Sequence, residues 1–499
     1  MNNLVSTRLY TIIILILAAT VALALGAAIA GSDYRQIAIV VTIIAGLILL
    51  LINTELIWLL VFGSYFLSAN LNFLPVPIAP YELLAIVAVT RFIFAHLIFG
   101  KRALHLGPRP DWILLGGFFF VLFAHAAIDR FGMRAFGSSI WGGRPYLTVS
   151  FMFLAYLALQ SAPLTTHQCR HLPSIALFFG FIAFSIKLLT AIYPFLAFVI
   201  LPFYSGVYDE ASTGIISRWG FLGDFGYLLI LWSCCKFRLQ QFWVRFLPAA
   251  FCLIGIVLCI ASGYRSSVVI AMVILALAAY RDLRLQMVIP ITTLIISISL
   301  LIFFHTAVHP LPKSVQRALT LFPGDWDPVI AADAVASNDF RWSLWTYWAE
   351  YYFWNHPWFG RGFGFPASDA YRAQSTAVVN PITGTIEQQY YDQDETFAIT
   401  GSLHNGLLSM IDRFGIIGAL LLLGWTLFVI LRIIRRLTIE AEQTSVEKWL
   451  LLYIGAFTSC YFFGALRIDE FLPSQLLFVG LLESLISSDL NSNSDSIYS

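Results

Sequence analysis

Residues 246–281 read FLPAAFCLIGIVLCIASGYRSSVVIAMVILALAAYR. Two apolar runs, 246–262 and 264–280, are separated by almost no loop, only the turn Ser262-Gly263-Tyr264-Arg265-Ser266-Ser267. A helix needs about 20 apolar residues to cross a bilayer core, with a range of roughly 17–25. The pair therefore reads as a helical hairpin through a membrane. Working outward, further apolar runs lie at 10–30, 37–52, 55–69, 81–99, 112–128, 145–160, 174–192, 224–236, 286–305, 407–430, 447–465 and 471–486. Composition agrees: 11% of residues are charged and the mean hydropathy is +0.81, whereas a soluble domain carries about 25% charged residues. The expected fold is all-α, a polytopic transmembrane helical bundle of about 12–14 spans, forming a single membrane domain over 1–499 with one long loop insertion at 306–405.

The same composition excludes several functions. The formal net charge is +1 and no basic stripe exists to neutralise phosphates, so no nucleic acid is expected as a partner. No phosphate-binding loop of the Walker type is present, which argues against an ATPase. Cys234, Cys235, Cys252, Cys259 and Cys460 sit in or beside apolar runs, and Cys169 sits in a short loop, so no disulfide framework is indicated. Arg8 precedes the first run and Ala28-Ile29-Ala30 resembles a small-residue cleavage site, yet the many spans that follow favour an uncleaved first span.

Orientation is read from Lys and Arg in short loops. Lys101, Arg102, Arg109, Lys236, Arg238, Arg245, Arg281, Arg284, Arg432, Arg435, Arg436 and Lys448 fall in loops on one side, which is then cytoplasmic; Arg130, Arg134 and Arg144 run against this pattern. Both termini, including the tail 487–499, come out cytoplasmic, and 306–405 comes out outside, in the periplasm of a Gram-negative cell. Within that outer loop Asp339-Phe340-Arg341 is expected to open a helix with Trp342, Trp345, Trp348 and Tyr352 on one face, ending at Asn355-His356-Pro357. It would lie in the membrane interface or pack on the bundle. Gly360-Arg361-Gly362-Phe363-Gly364 reads as a turn that brings main chain close to a neighbour, and Tyr390 to Glu395 as a solvated acidic stretch.

Charge near a membrane is costly and marks function. Arg218 in Ser217-Arg218-Trp219-Gly220, Arg265 in the hairpin turn, Arg341, and His404 in Gly401-Ser402-Leu403-His404-Asn405-Gly406 all fall on the outer side. Arginine presents a fixed fork suited to phosphate, and histidine acts as a general base near neutral pH. Each arginine is otherwise a snorkelling anchor. His305 and His309, spaced for a shared metal, lack an acidic partner in a recognisable motif, and Asp325-Trp326-Asp327 and Asp392-Gln393-Asp394 are short triplets of a common kind, so no metal or cofactor is expected. Lys187 and Asp224 are candidate intramembrane charges that keep a transporter in view.

Taken in order, these residues resemble the O-antigen ligase and polymerase superfamily of bacterial surface-glycan assembly. The resemblance runs from Ser217 to Gly418: Arg218 before a span, the Ser-Gly-x-Arg-Ser turn at Arg265, Arg341 before an aromatic run, Asn355-His356-Pro357-Trp358-Phe359-Gly360-Arg361-Gly362, and His404-Asn405. Residues 1–200 match only as generic membrane helices, and 201–430 form the ligase-like core. The resemblance implies a metal-independent, inverting glycosyltransferase in the bacterial inner membrane. Its donor would be a glycan on undecaprenyl pyrophosphate, and its acceptor lipid A-core for a ligase or another lipid-linked glycan for a polymerase. Arg218 and Arg265 would grip the pyrophosphate, His404 would serve the acceptor hydroxyl, and Arg341, Asn405 and Arg361 would bind substrate. The lipid bilayer and other polysaccharide-assembly proteins complete the expected partners. A transporter of a small anion, or a scaffold in polysaccharide export, are the alternatives.

Overall fold

The computed structural model describes residue 39 and residues 54–74, 78–99, 109–128, 143–161, 164–201, 218–283, 288–363, 375–379, 386–390, 393–438, 443–462 and 468–497. The chain is an all-α helical membrane protein. The expected runs 10–30 and 37–52 lie outside the described residues apart from residue 39. The helices are α1 (Thr54–Tyr65), α2 (Pro80–Phe99), α3 (Arg109–Ile128), α4 (Gly143–Ser161) and α5 (Leu172–Ile192). Next come α6 (Gly220–Lys236), α7 (Phe246–Ala261), α8 (Arg265–Leu283) and α9 (Val288–Ala307). The expected outer loop holds α10 (Lys313–Leu319), α11 (Pro328–Tyr351), strands β1 (Ser375–Val379) and β2 (Ile386–Tyr390), and α12 (Gln393–Thr400). The chain closes with α13 (Gly406–Thr438), α14 (Ser445–Tyr461) and α15 (Ile468–Ile497). The strands form an antiparallel pair with Ser375 opposite Tyr390. Among the described residues five helices are long and apolar enough to cross a membrane alone: Pro110–Ile128, Thr166–Ile192, Arg265–Leu283, Gly406–Thr438 and Ile468–Ser487.

Helix packing follows membrane rules, in which small residues let backbones approach. The pairing of α6 with α7 is one such contact. A Cβ added to Gly226 on α6 would stand 2.7 Å from the Gly255 carbonyl oxygen on α7, and one on Gly255 would stand 2.6 Å from that of Gly226. Aromatic rings fill the centre, where Phe478 of α15 meets Phe62 and Tyr65 of α1 and Tyr453 of α14 at 4.6–5.4 Å between centroids. Arg432 was expected in a loop but lies within α13, where it pairs with Asp111 of α3 at 2.9 Å and with Glu483 of α15.

The segment between α9 and α13 differs from expectation at two points. α11 begins eleven residues before Asp339, because Asp327 caps it by accepting from the Val329 N–H at 2.8 Å and Pro328 occupies the first helical position. Gln393–Thr400 is a helix that begins inside the expected acidic stretch; Gln393 is exposed, the buried Thr396, Ala398 and Ile399 lie beyond Glu395, and Ser343 of α11 donates to Asp394.

α13 is not continuous. Gly415 has φ 65° and ψ −174° inside it, a conformation open essentially to glycine alone. The break frees backbone groups that the 355–362 turn satisfies. Ile416 N–H donates to the Pro357 carbonyl at 2.9 Å and Ile417 N–H to that of Trp358 at 3.1 Å; in return Arg361 N–H donates to the Asp412 carbonyl at 3.0 Å and Gly362 N–H to that of Arg413 at 2.9 Å. Gly360 and Gly362, at φ 73° and 66°, give the turn its shape. Irregular backbone beside a membrane survives where protein covers it, and here the 355–362 turn is the cover.

Candidate functional site

The Arg265 turn is built from the ends of the hairpin. Ser262 Oγ accepts from the Tyr264 N–H at 3.2 Å, Gly263 takes φ 77°, and Trp219 N–H donates to the Ser262 carbonyl at 2.9 Å. That last bond ties the start of α6 to the start of α8, so Arg218 and Arg265 arrive at one end of the bundle. α10 lies over this junction, and its Arg317 donates to the Gly263 carbonyl at 2.9 Å.

α11 then lines up the predicted residues. Asp333 accepts from Arg218 Nη2 at 3.2 Å and from Arg317 Nε at 2.6 Å. Asn338 Oδ1 accepts from Arg265 Nη2 at 3.2 Å. Arg341 follows one turn later, half-buried, with no hydrogen bond or ion pair among the described residues. Phe340 reaches His404, whose ring lies 6.0 Å from it and 5.1 Å from Phe397 of α12. From Asp333 to Arg341 is eight residues, about 12 Å of helix rise. The structure thus brings Arg218, Arg265, Arg341 and His404 along one helix.

The electrostatics are unbalanced. Arg218, Arg265, Arg317 and Arg341 converge, and among the described residues the carboxylate that contacts them is Asp333. Arg218 Nε is buried without a hydrogen-bond partner among those residues, a donor that ordinarily finds one. Burial and then neighbouring Arg317 hold Arg218 and Arg341 below the ordinary arginine value. Such a cluster suits a ligand carrying several negative charges. Burial, then the charge of Arg341, lowers His404 to about 4, so its imidazole is neutral at neutral pH. His404 also holds φ 50°, a strained conformation for a residue with a Cβ, of a kind that clusters at functional sites.

Two predicted substrate contacts lie elsewhere. Asn405 caps α13, its Oδ1 accepting from the Leu408 N–H at 3.1 Å. Arg361 spends its fork on Asp412, Nε to Oδ1 at 2.8 Å and Nη2 to Oδ2 at 2.9 Å, stacks on Tyr352 at 4.6 Å, and donates to the Ala398 carbonyl. Trp348 Nε1 donates to the same Asp412 at 2.8 Å. This second cluster clamps the 355–362 turn to the break in α13. His305, considered above as a metal ligand, has both ring nitrogens engaged: Nδ1 accepts from the Leu311 N–H at 2.9 Å, and Nε2 lies 3.1 Å from the Asp325 carbonyl.

Sequence reading missed Arg317, Asp333 and Asn338. The only signal for Asp333 was a lone acid in the small-residue run Ala331-Ala332-Asp333-Ala334. No curated protein matches the chain at a significant level. The O-antigen ligase family model matches residues 250–423, a segment that holds Arg265, Arg317, Asp333, Asn338, Arg341, Arg361, His404 and Asn405 and stops short of Arg218. The motif order and the helical membrane fold agree with this match, and residues 250–423 are similar to the O-antigen ligase family.

Proposed function

We propose, from the match of residues 250–423 to the O-antigen ligase family, that this is a protein of membrane glycan assembly and the transferase itself, moving a glycan from undecaprenyl pyrophosphate to an acceptor sugar hydroxyl at the periplasmic face of the bacterial inner membrane. The observation that carries this reading is the alignment on α11 of four guanidiniums, one carboxylate and a neutral imidazole.

The chemistry is a single displacement. The acceptor oxygen attacks the anomeric carbon of the donor as its proton passes to His404. The bond from that carbon to the phosphate oxygen breaks, and the pyrophosphate leaves with the electron pair and the growing negative charge. One displacement inverts the anomeric centre. Arg218, Arg265 and Arg341 stabilise the leaving charge, which is preorganised electrostatic catalysis, and Asp333 holds Arg218 and Arg317 in register. The donor already carries its leaving group, so no nucleotide is needed. Arg361 and Asn405 serve the scaffold of the site rather than the substrate.

The test is to delete the gene and resolve the surface glycan by electrophoresis, with purified protein and lipid-linked donor assayed beside it in excess chelator. Loss of long chains from lipid A while polymer is still made identifies a ligase; single repeats identify a polymerase. An unchanged glycan overturns the proposal. Activity lost in chelator and restored by a divalent metal overturns the assignment of the leaving charge to arginine.

A further inference from the structure

Trp342 takes no part in the transfer proposed above, yet it stands beside the groups that do. It is 69% exposed, follows Arg341 directly, and meets Trp345 edge-on with ring centroids 5.5 Å apart. Trp345 is fixed in turn, its Nε1 donating at 2.7 Å to the carbonyl of Leu403, the residue before His404. An exposed indole is thus braced against the segment that carries the imidazole. Order along α11 indicates which part of the substrate it would meet. Asp333 with Arg218 and Arg317 comes first, then Asn338 with Arg265, then Phe340 beside His404, then Trp342 and Trp345. From Asp333 to Trp345 is twelve residues, about 18 Å of helix rise. In a single inverting displacement the acceptor enters opposite the leaving phosphate. With the phosphate on the arginines toward the start of α11, the acceptor sugar lies toward the two indoles.

The surroundings of the ring favour a sugar over lipid. Residues three and four apart share a helix face, and those around Trp342 are Asn338, Asp339 and Thr346, all exposed, with exposed Ser343 next in the chain. An aromatic side chain that seats in lipid is flanked by apolar and basic residues; this one is ringed by an amide, a carboxylate and hydroxyls. Those are the partners of sugar hydroxyls, while the C–H face of a pyranose ring meets the negative face of an indole. Trp354, Trp358 and Phe359 are the contrasting case. They are exposed and close together in the chain, and the Phe359 carbonyl lies 2.5 Å from Nε2 of His125, near the end of the apolar span α3.

We infer, resting on the proposed transfer, that Trp342 braced by Trp345 is the stacking platform for a sugar ring of the acceptor glycan. The full-length protein in detergent is titrated with oligosaccharides freed from the host's surface glycan by mild acid, and binding is read by saturation-transfer NMR. Transfer is measured in vesicles with acceptor varied at saturating lipid-linked donor. Trp342→Ala should weaken oligosaccharide binding and raise the acceptor KM roughly three- to tenfold, the worth of one aromatic contact. Its kcat, donor KM and melting temperature should stay near wild type. Trp342→Tyr keeps a ring and should recover most of the loss, whereas Trp342→Leu, apolar without a ring, should behave like Trp342→Ala. Trp354→Ala is the control and should leave both readouts unchanged. Wild-type binding and acceptor KM in Trp342→Ala would overturn the inference. Recovery by leucine would seat the side chain in lipid, and a raised donor KM alone would assign it to the donor; each also overturns it. Absence of transfer by the wild type would count against the proposed function, whereas oligosaccharide binding and its loss in Trp342→Ala are read without turnover.

Discussion

Arg218 and Arg265 offer planar forks, and lysine in either place would keep the charge and lose the bidentate contact. An anchor at the membrane edge would accept lysine, because lysine also snorkels. Arg218→Lys and Arg265→Lys are therefore expected to accumulate normally and to lose roughly 2–4 kcal/mol of barrier lowering, about 10²–10³ in transfer rate. Arg245→Lys, at the opposite end of α6 and α7, is the control and should match wild type. The measurement is transfer in vesicles normalised to protein amount, and wild-type rates for both variants would make the arginines anchors. His404 carries a second expectation at this scale. With its value held near 4 by burial and by Arg341, the base form persists well below neutrality. The rate should stay level from about pH 7 down to about pH 5 and fall only toward 4. Stability runs the same way: a depressed value contributes stability that is complete above the unfolded value near 6.5 and drains away as pH falls toward 4. In Arg341→Gln one of the two causes is removed, so the acid limb of the profile should move up in pH. An acid limb near 6.5 in the wild type would show that His404 is not the base.

At the scale of elements, the broken helix α13 and the 355–362 turn are one structure. A Cβ at Gly415 would run into the carbonyl of Trp358 and the N–H of Phe359, which are main chain and cannot rotate away. Gly415→Ala is expected to destabilise by at least about 1–3 kcal/mol and to lower the melting temperature in detergent. Gly116→Ala on α3, where an added Cβ meets nothing within 4 Å, should be neutral or slightly stabilising. Arg361 separates two roles by a different measurement. A substrate residue would raise the donor or acceptor KM and leave the fold intact. A clamp would lower the folded amount and leave the KM of the surviving protein unchanged. Asp412 keeps Trp348 at 2.8 Å and Arg413 at 3.6 Å when Arg361 is gone, so Arg361→Ala should cost roughly 1–3 kcal/mol of stability. A normal melting temperature with a raised KM would return Arg361 to the substrate site.

The whole molecule is polarised. One end gathers the arginine cluster and His404; the other gathers Arg432, Asp111 and Glu483. From the excess of Lys and Arg in the loops of that second end, it is expected to face the cytoplasm. All six cysteines are buried and free, so a cysteine-free background is a practical starting point. Cysteine placed at exposed Trp342 should react with an impermeant reagent in intact cells, and cysteine placed at exposed Arg435 only after permeabilisation. The reverse pattern would put the site in the cytoplasm and sink a reaction that draws on outer-leaflet donor.

The helices were legible because a bilayer leaves so few solutions. Each backbone polar group must be satisfied within a span, so an apolar run of the right length can only be a helix. Hence the hairpin at 246–281 and the start of α13 near Gly406 lie where the residues alone place them. Motif order likewise exposed Arg218, Arg265, Arg341 and His404, since charge at a membrane edge is rare enough to stand out. Asp333 and Arg317 carried no such mark in a polar loop, and their importance came from distance: α10 and α11 fold over the Gly263 turn and set both against Arg218. The break at Gly415 was hidden for a related reason. Apolar composition is the same on either side of it, and what interrupts the helix is main chain from residues 357–362 donating and accepting across it. Local composition determined which segments enter the membrane. Contacts between segments far apart in the chain decided which charges meet, because an ion pair or a backbone hydrogen bond depends on a separation of a few ångströms that no single stretch of sequence contains.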